Sequence, residues 1–280
     1  MIVNYKFLFQ QTGKLFLFYL MELRGFCWQL PWNKNKIFSI KILPGYSIKL
    51  ARRGDIAEII YKNEVLIKYE KSFEYSTLKL FSGIIKKGDV IIDAGANIGL
   101  YSIFYSKLAG KEGRVYSFEP DKTTNLLLKK NLQLNDCNNV QIFNAALSNK
   151  EGYVEMVAYN FDSFKVSEGD AFKFIKEVID PGEGDKPGYI NAFKLDNLKE
   201  INTLDKIDFI KIDVEGAELL VLQGSIQTIL KYKPTIIFEL SGRWTKRFNY
   251  KPYQVIVLMN ELGYEMEEYD LEQWIARPVP

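Results

Sequence analysis

Acidic or amide side chains follow five apolar segments of the chain, each at the point where the segment ends. They are Asp93, Glu119, Asn144, Asp213 and Glu239. Carboxylates in such positions can hold hydroxyl groups, ligate a hard cation or accept a proton. The sequence has no histidine, so histidine triads, imidazole-ligated zinc sites and imidazole bases are excluded. A proton acceptor in this protein must be Asp, Glu, Lys or Tyr.

A turn rich in small residues, with the sequence DAGANIGL, follows the first apolar segment. A dinucleotide fingerprint beginning at Gly95 needs glycine at 97 and glycine or alanine at 100, but the chain has Asn97 and Leu100. A phosphate-binding loop ending in Gly-Lys-Ser/Thr is also absent. The turn therefore favours a nucleoside ligand without a pyrophosphate. Glu119, followed by the fixed backbone of Pro120, is placed to hold the ribose of such a ligand.

These side chains can act together only if the fold brings the strand ends to one edge. Short continuous apolar runs alternate with helical periodicity, which indicates a parallel sheet covered by helices on both faces. In such a sheet, ligands bind beyond the carboxyl ends of the strands. The predicted core strands are 90–92, 114–118, 140–143, 209–212 and 235–238. The predicted helices are 73–85, one ending at 108, 123–134 and 217–230, followed by a tail helix at 253–262 and a closing hairpin of 264–269 and 273–276.

The composition describes a foldable globular protein. Its 280 residues are 47% hydrophobic, 14% aromatic and 26% charged. A net charge of +2 gives no basic excess for nucleic acid binding. Two cysteines cannot form a disulfide scaffold or a four-thiolate metal site, and they fit a reducing, cytoplasmic compartment.

We divide the chain into three parts. An N-terminal helical and aromatic segment occupies 1–35, a small antiparallel β module occupies 36–70, and a Rossmann-like domain occupies 71–280. The β module is predicted from strands at 37–42, 46–50, 56–61 and 65–69. Within the large domain, strands at 152–158 and 189–195 flank a lid-like insertion at about 159–188.

The apolar run at 15–21 is too short for a membrane-spanning helix, which needs about 20 residues. It also lacks a convincing signal-peptide cleavage site. One interpretation is a helix that docks on the main domain. The other is an interfacial helix within residues 1–30 that makes peripheral contact with a membrane.

Three stretches together closely resemble the FkbM family of S-adenosylmethionine-dependent methyltransferases. They are VIIDAGANIG at 90–99, FEP at 118–120 and DFIKIDVEGAE at 208–218. The resemblance covers about residues 73–240, and DVEGAE is its most specific part because many class I methyltransferases share the glycine turn. It implies a Rossmann-like, doubly wound class I methyltransferase sheet with an N-terminal β-rich extension, and S-adenosylmethionine as the cofactor.

The same resemblance implies roles for individual residues. Gly95 and Asn97 would contact the methionine part of S-adenosylmethionine, and Glu119 would hold the ribose. Glu74 resembles an acid near the sulfonium or amino group, although a helix start also favours an acid there. The other members of the implied cofactor site are Asp93 and Ala96 in the turn, Pro120 after Glu119, and Asn144 and Ala145 beside the adenine.

Methyl transfer to a hydroxyl requires a group that takes the hydroxyl proton. Asp213 and Glu215 are the nearest candidates, and Glu239 could assist. Lys211 shares the strand parity of Asp213 and would either neutralise that carboxylate or act as a base with a lowered pKa. Relatives often carry a histidine just beyond the acid of the fifth strand, which this chain lacks, so the identity of the base stays open. Alternatively, Asp213 and Glu239 could ligate a magnesium ion.

FkbM enzymes resemble O-methyltransferases that act on sugars of surface glycans or on secondary metabolites. We therefore expect a saccharide or glycan hydroxyl as the acceptor, since aromatic residues near the predicted acceptor loops can stack on sugar rings. A lipid or secondary-metabolite acceptor is the alternative. An NAD-dependent oxidoreductase on a similar sheet and a non-catalytic module are the competing functions.

Overall fold

The structure, a computed structural model, describes residues 37–43, 45–51, 75–158, 173–175 and 189–279. The strands are β1 (Ile37–Leu43), β2 (Tyr46–Ala51), β3 (Val90–Ala94), β4 (Arg114–Phe118), β5 (Val140–Phe143), β6 (Ala146–Leu147), β7 (Gly152–Ala158), β8 (Lys173–Ile175), β9 (Tyr189–Phe193), β10 (Phe209–Ile212), β11 (Thr235–Glu239), β12 (Tyr264–Asp270) and β13 (Gln273–Pro278). The helices are α1 (Tyr75–Ile84), α2 (Leu100–Ala109), α3 (Lys122–Leu134), α4 (Lys199–Asn202), α5 (Glu218–Gln223), α6 (Ile226–Tyr232) and α7 (Pro252–Glu261).

A seven-stranded sheet in the order β12-β13-β11-β10-β3-β4-β5 forms the centre of the molecule. The five strands from β11 to β5 are parallel, and β13 and β12 add an antiparallel hairpin at one edge. β3 pairs with β4 on one side and with β10 on the other, so the chain reverses its direction of travel across the sheet between β3 and β10. This is the switch point at which such sheets bind ligands.

Two hydrophobic clusters cover the two faces of the sheet. Alternate residues of a strand point to opposite faces, so Ile91 joins one cluster and Ile92 joins the other. The first cluster contains residues of α1, α2 and α3, and the second contains residues of α5, α6 and α7. The doubly wound α/β fold is therefore confirmed.

The β1–β2 hairpin packs against the first cluster, to which it contributes Ile48 and Leu50. Two amide side chains, one within α3 and one at its C-terminal cap, bind the outer backbone of β2. Asn135 accepts a hydrogen bond from the Lys49 N–H and donates one to its carbonyl, at 2.8 and 2.6 Å. Asn131 accepts from the Ala51 N–H at 2.8 Å. These bonds satisfy part of an exposed strand edge.

The predicted helix at 217–230 is wrong in one respect, because the structure breaks it into α5 and α6 at Gly224 and Ser225. A Cβ on Gly224 would lie 1.9 Å from the Ser148 carbonyl oxygen, so the chain passes too close to that loop for any larger residue. The Ser225 hydroxyl donates to the Val221 carbonyl at 2.7 Å and so satisfies a carbonyl at the end of α5.

A second sheet, in the order β6-β9-β7-β8, includes the strands that flank the predicted insertion. β8 lies within the predicted insertion and pairs with β7. The other residues of the insertion lie outside the described residues, as do the segment 1–36 and the predicted strands at 56–61 and 65–69. In the part of the chain that is described, no helix is long and apolar enough to cross a membrane.

Candidate active site

The turn between β3 and α2 crosses directly over the end of β10. Gly95 has a φ of 81°, and a Cβ at this position would lie 1.8 Å from the carbonyl oxygen of Asp213. The N–H groups of Gly95 and Ala96 both donate to the Phe118 carbonyl at 3.0 Å, which ties the turn to the end of β4. Only glycine fits this position, since any side chain would separate the turn from the two strand ends.

Asp93, the acid near the end of β3, is fully buried. One carboxylate oxygen, Oδ2, accepts a hydrogen bond from Ser102 at 2.5 Å. Among the described residues, the other oxygen has no hydrogen-bond partner. Burial raises the pKa of Asp93, and the nearby positive charge of Lys211 opposes that rise. A buried acceptor without a partner is costly in a folded protein and fits a ligand-binding position.

Glu119, which directly follows β4, holds the glycine turn through its carboxylate. Its Oε2 accepts from the Asn97 N–H and its Oε1 from the Asp121 N–H, both at 2.9 Å. Asn97 adopts a left-handed φ of 50°, and its buried Oδ1 has no hydrogen-bond partner within the described ranges. The structure therefore brings Glu119 and the turn that contains Gly95 and Asn97 together, while their contacts with a cofactor stay predictions. The contact between Glu119 and the Asn97 backbone was not predicted, because no sequence pattern reveals it.

Asn144 and Ala145 follow β5 on the same edge of the sheet. The Asn144 amide donates to the carbonyls of Glu119 and Pro120 at 2.9 and 2.8 Å, so it fixes the chain where it leaves β4. Ala145 is buried. Their contact with an adenine stays a prediction. Glu74 lies outside the described residues, and its predicted role stays a prediction as well.

An ion pair lies at the end of β10. The Lys211 side chain is 4% exposed, and its Nζ lies 2.8 Å from Oδ2 of Asp213, whose side chain is 34% exposed. The same Nζ lies 4.5 Å above the ring of Tyr101, a favourable cation–π contact. Lys211 also stands beside Asp93 in the pairing of β10 with β3. This ion pair is the geometry that the neutralising interpretation of Lys211 predicts.

The loop after Asp213 contains two more acids, Glu215 and Glu218, and part of its backbone is left-handed. Glu215 and Gly216 have φ values of 56° and 105°, both left-handed. The buried Glu218 carboxylate accepts from the N–H groups of Val214 and Gly216 at 3.3 and 3.0 Å, and the Tyr250 hydroxyl lies 3.2 Å away from it. Glu218 and Tyr250 therefore shape the loop. No sequence motif assigned either residue this role.

The carboxyls in this region affect one another strongly. Burial and the charge of Asp213 raise the pKa of Glu215 to about 7, while Arg247 opposes the rise. Burial and the charges of Asp213 and Glu215 raise the pKa of Glu239 to about 9. Glu239 therefore keeps its proton at neutral pH, and it can donate a hydrogen bond but not accept a proton.

Three predicted acids, Asp213, Glu215 and Glu239, thus lie near one another at adjacent strand ends. Within the described residues, no group of three or more His, Cys, Asp or Glu side chains is arranged to hold a metal ion. Arg247, whose Nη1 donates to the Glu215 carbonyl at 3.3 Å, is a further member of the site, and no sequence motif identified it. The only signal for it was its place a few residues after the fifth strand.

Comparison with known proteins gives consistent results. Residues 93–266 match the family described as Methyltransferase FkbM domain. Methyltransferase sdnD of Sordaria araneosa is 32% identical over 210 residues, which cover 66% of this chain and 76% of that protein. The 2-O-methyltransferase NoeI of Sinorhizobium fredii is 27% identical over 166 residues, or 56% of this chain and 67% of that protein.

Among solved structures, the chain is similar to a methyltransferase FkbM from Methylobacillus flagellatus. The identity is 17% and the TM-score 0.46, with 80% of this chain and 53% of that chain covered. This chain therefore spans about half the length of that protein.

Proposed function

The chain belongs to the FkbM methyltransferase family, and from this premise we propose that it is an S-adenosylmethionine-dependent O-methyltransferase that methylates a hydroxyl of a saccharide or glycan. One observation supports the proposal most strongly. Gly95 of the glycine turn packs directly against the backbone carbonyl of Asp213, so the predicted cofactor site lies at the same edge of the sheet as the acids Asp213, Glu215 and Glu239. The name of the NoeI relative, a 2-O-methyltransferase, supports oxygen as the acceptor atom.

The residues present fit S-adenosylmethionine. Buried acceptor oxygens of Asp93 and Asn97 have no hydrogen-bond partner among the described residues, and both lie in the turn that would hold the cofactor. Oxygen acceptors suit an ammonium group, which is a pure donor. We assign Gly95 and Asn97 to the methionine part and Glu119 to the ribose. When bound, this cofactor supplies a methyl group activated by a positively charged sulfur.

The chain's own contribution is to orient the acceptor and take its proton. We assign the proton acceptor to a carboxylate oxygen of Asp213, which is partly exposed and held in place by Lys211. Glu239 keeps its proton at neutral pH and acts as a hydrogen-bond donor beside Asp213. Glu215, with a pKa near 7, is charged in only part of the molecules at that pH and sets the local electrostatic balance. Orientation and proton removal together are the established means of accelerating such a transfer.

Two measurements test the proposal. Isothermal titration of the folded chain should show binding of S-adenosylmethionine, and absence of binding overturns the proposed function. With a glycan fraction that supports release of S-adenosylhomocysteine, Asp213→Asn should keep cofactor binding and lower turnover by roughly 100-fold or more. The matched control is Asp205→Asn, because Asp205 is an exposed acid before β10. Full turnover in Asp213→Asn would contradict the assignment of the base.

A further inference from the structure

The hairpin of β12 and β13 extends the carboxyl edge of the sheet beyond the proposed site. β13 begins at Gln273, which pairs with Glu239 at the end of β11 and with Asp270 at the end of β12. The turn of this hairpin therefore lies at the edge where the parallel strands end. Ile237 and Ile275, two residues away on the same strands, belong to the first hydrophobic cluster, so Glu239 and Gln273 point to that face of the sheet.

Asp213 stands next to these two side chains. Ile212 pairs with Phe238 in the parallel ladder of β10 and β11, so the residues that follow them, Asp213 and Glu239, are neighbours. Burial, and then the charge of Asp213, raises the pKa of Glu239, which agrees with this closeness. Asp213, Glu239 and Gln273 therefore form a row across the ends of β10, β11 and β13, which we call the polar row.

The amide of Gln273 is only partly used within the protein. Gln273 is half-buried, and its Oε1 accepts a long hydrogen bond of 3.5 Å from the Tyr269 hydroxyl. Within the described part of the chain, its Nε2 makes no hydrogen bond and is not one of the buried polar atoms that lack one. This nitrogen is therefore accessible. An amide offers both a donor and an acceptor, and a hydroxyl group can match either.

The hairpin turn beside Gln273 is held by contacts with two other elements. Oδ2 of Asp270 accepts a hydrogen bond from the Ser76 hydroxyl in α1 at 2.5 Å. Oε1 of Glu272 accepts one from the Ser241 hydroxyl, in the loop after β11, at 2.8 Å. The backbone that carries Gln273 is thus fixed before any ligand arrives, and a binding group on a fixed backbone loses less entropy on binding.

The length of the polar row suits a sugar ring. Neighbouring strands lie about 4.8 Å apart, so the strand positions of Asp213 and Gln273, on β10 and β13, are about 10 Å apart. This is the width of a sugar ring with a hydrogen bond of about 2.8 Å added on each side. A ring that turns one hydroxyl toward Asp213 can therefore present a hydroxyl of its opposite side to Gln273.

We propose that Gln273 binds a second hydroxyl of the acceptor while the hydroxyl to be methylated faces Asp213. This inference rests on the proposed function, because it specifies how the same site recognises its acceptor. The acceptor is then a ring with hydroxyls on two sides, as in saccharides, rather than a lipid or metabolite with a single hydroxyl. Gln273 determines specificity and takes no proton.

The test measures the binding of small neutral probes to the whole chain in the presence of S-adenosylhomocysteine. Saturation-transfer NMR compares the methyl glycosides of glucose, galactose and mannose with cyclohexanol, a ring that carries one hydroxyl. At least one glycoside should bind, and Gln273→Met should weaken its binding about fivefold, the worth of one uncharged hydrogen bond. The same variant should leave cyclohexanol binding unchanged. Gln141→Met is the matched control, because Gln141 is an exposed glutamine of β5, the strand at the other side of the same sheet.

The outcomes separate this inference from the proposed function. If the chain binds S-adenosylhomocysteine but no glycoside, or if Gln273→Met binds the glycoside as tightly as wild type, the inference is overturned and the proposed function stands. Equal weakening of glycoside and cyclohexanol binding also overturns the inference, because it indicates a general disturbance of the site. Gln273→Ser, which places no large apolar group at this position, is measured in the same way and replaces Gln273→Met if that variant does not fold. If the chain does not bind S-adenosylhomocysteine, the proposed function and the inference are both overturned.

Discussion

Replacing Lys211 by methionine is the sharpest test of how the site is held together. The substitution keeps an apolar stem of similar length but removes the cation between Asp93 and Asp213. Asp93 is fully buried and would lose the positive charge that opposes its desolvation. Asp213 would lose its 2.8 Å ion pair but remain in contact with water. The damage should therefore come mainly from Asp93.

The size of the expected loss of stability depends on how buried Asp93 and Asp213 are. Breaking a buried ion pair costs about 3–5 kcal/mol, and the partial exposure of Asp213 puts this case near the lower end, at about 3 kcal/mol. For a domain of this size, that loss corresponds to a fall in Tm of roughly 6–12 °C. Differential scanning fluorimetry at neutral pH measures it directly. Lys231→Met is the matched control, because Lys231 is exposed and also lies against a tyrosine ring.

The pH dependence of the loss distinguishes this cause from a simple packing defect. In Lys211→Met the pKa of buried Asp93 should rise further, so the folded state binds a proton that the unfolded state has released. The stability of the variant then falls as the pH rises above the pKa that Asp93 has in the unfolded chain, and it recovers as the pH is lowered. The gap in Tm between variant and wild type should narrow from pH 8 to pH 5. A difference in Tm that does not change with pH, or a variant as stable as wild type at pH 8, would show that Lys211 does not stabilise the charge of Asp93.

The remaining predictions concern the turn and the acids. Gly95→Ala should abolish S-adenosylmethionine binding in titration calorimetry, because its Cβ would overlap the Asp213 carbonyl; unaltered affinity would contradict the geometry. Glu119→Ala should weaken that binding about tenfold or more, with exposed Glu112→Ala as control, since the carboxylate orders the turn. The stability of Glu239→Gln relative to wild type should increase as the pH rises from 5 to 9. In wild type the raised pKa of Glu239 means that the folded state holds a proton that the unfolded state has released, so wild type loses stability across that range, whereas the variant has no such group. Thermal unfolding at several pH values measures this, and a constant difference would argue against a protonated Glu239.

Much of the fold could be predicted from local sequence. The bounds of β4, β5 and β10 agree with the predicted strands because each is a continuous apolar run with clear ends. The break between α5 and α6 could not be predicted. It depends on the approach of Gly224 to the Ser148 carbonyl, a residue far away in the chain.

For the site, the order of residues along the chain was enough to predict which residue types follow the strands. Alternation of apolar strands with helices requires a parallel sheet, and a parallel sheet collects its carboxyl ends at one edge. Which acid keeps a proton, and which acid pairs with Lys211, depends on how the elements pack in three dimensions. Desolvation and Coulomb energy depend on distances through space between side chains from separate elements, and no pattern of neighbours along the chain encodes those distances.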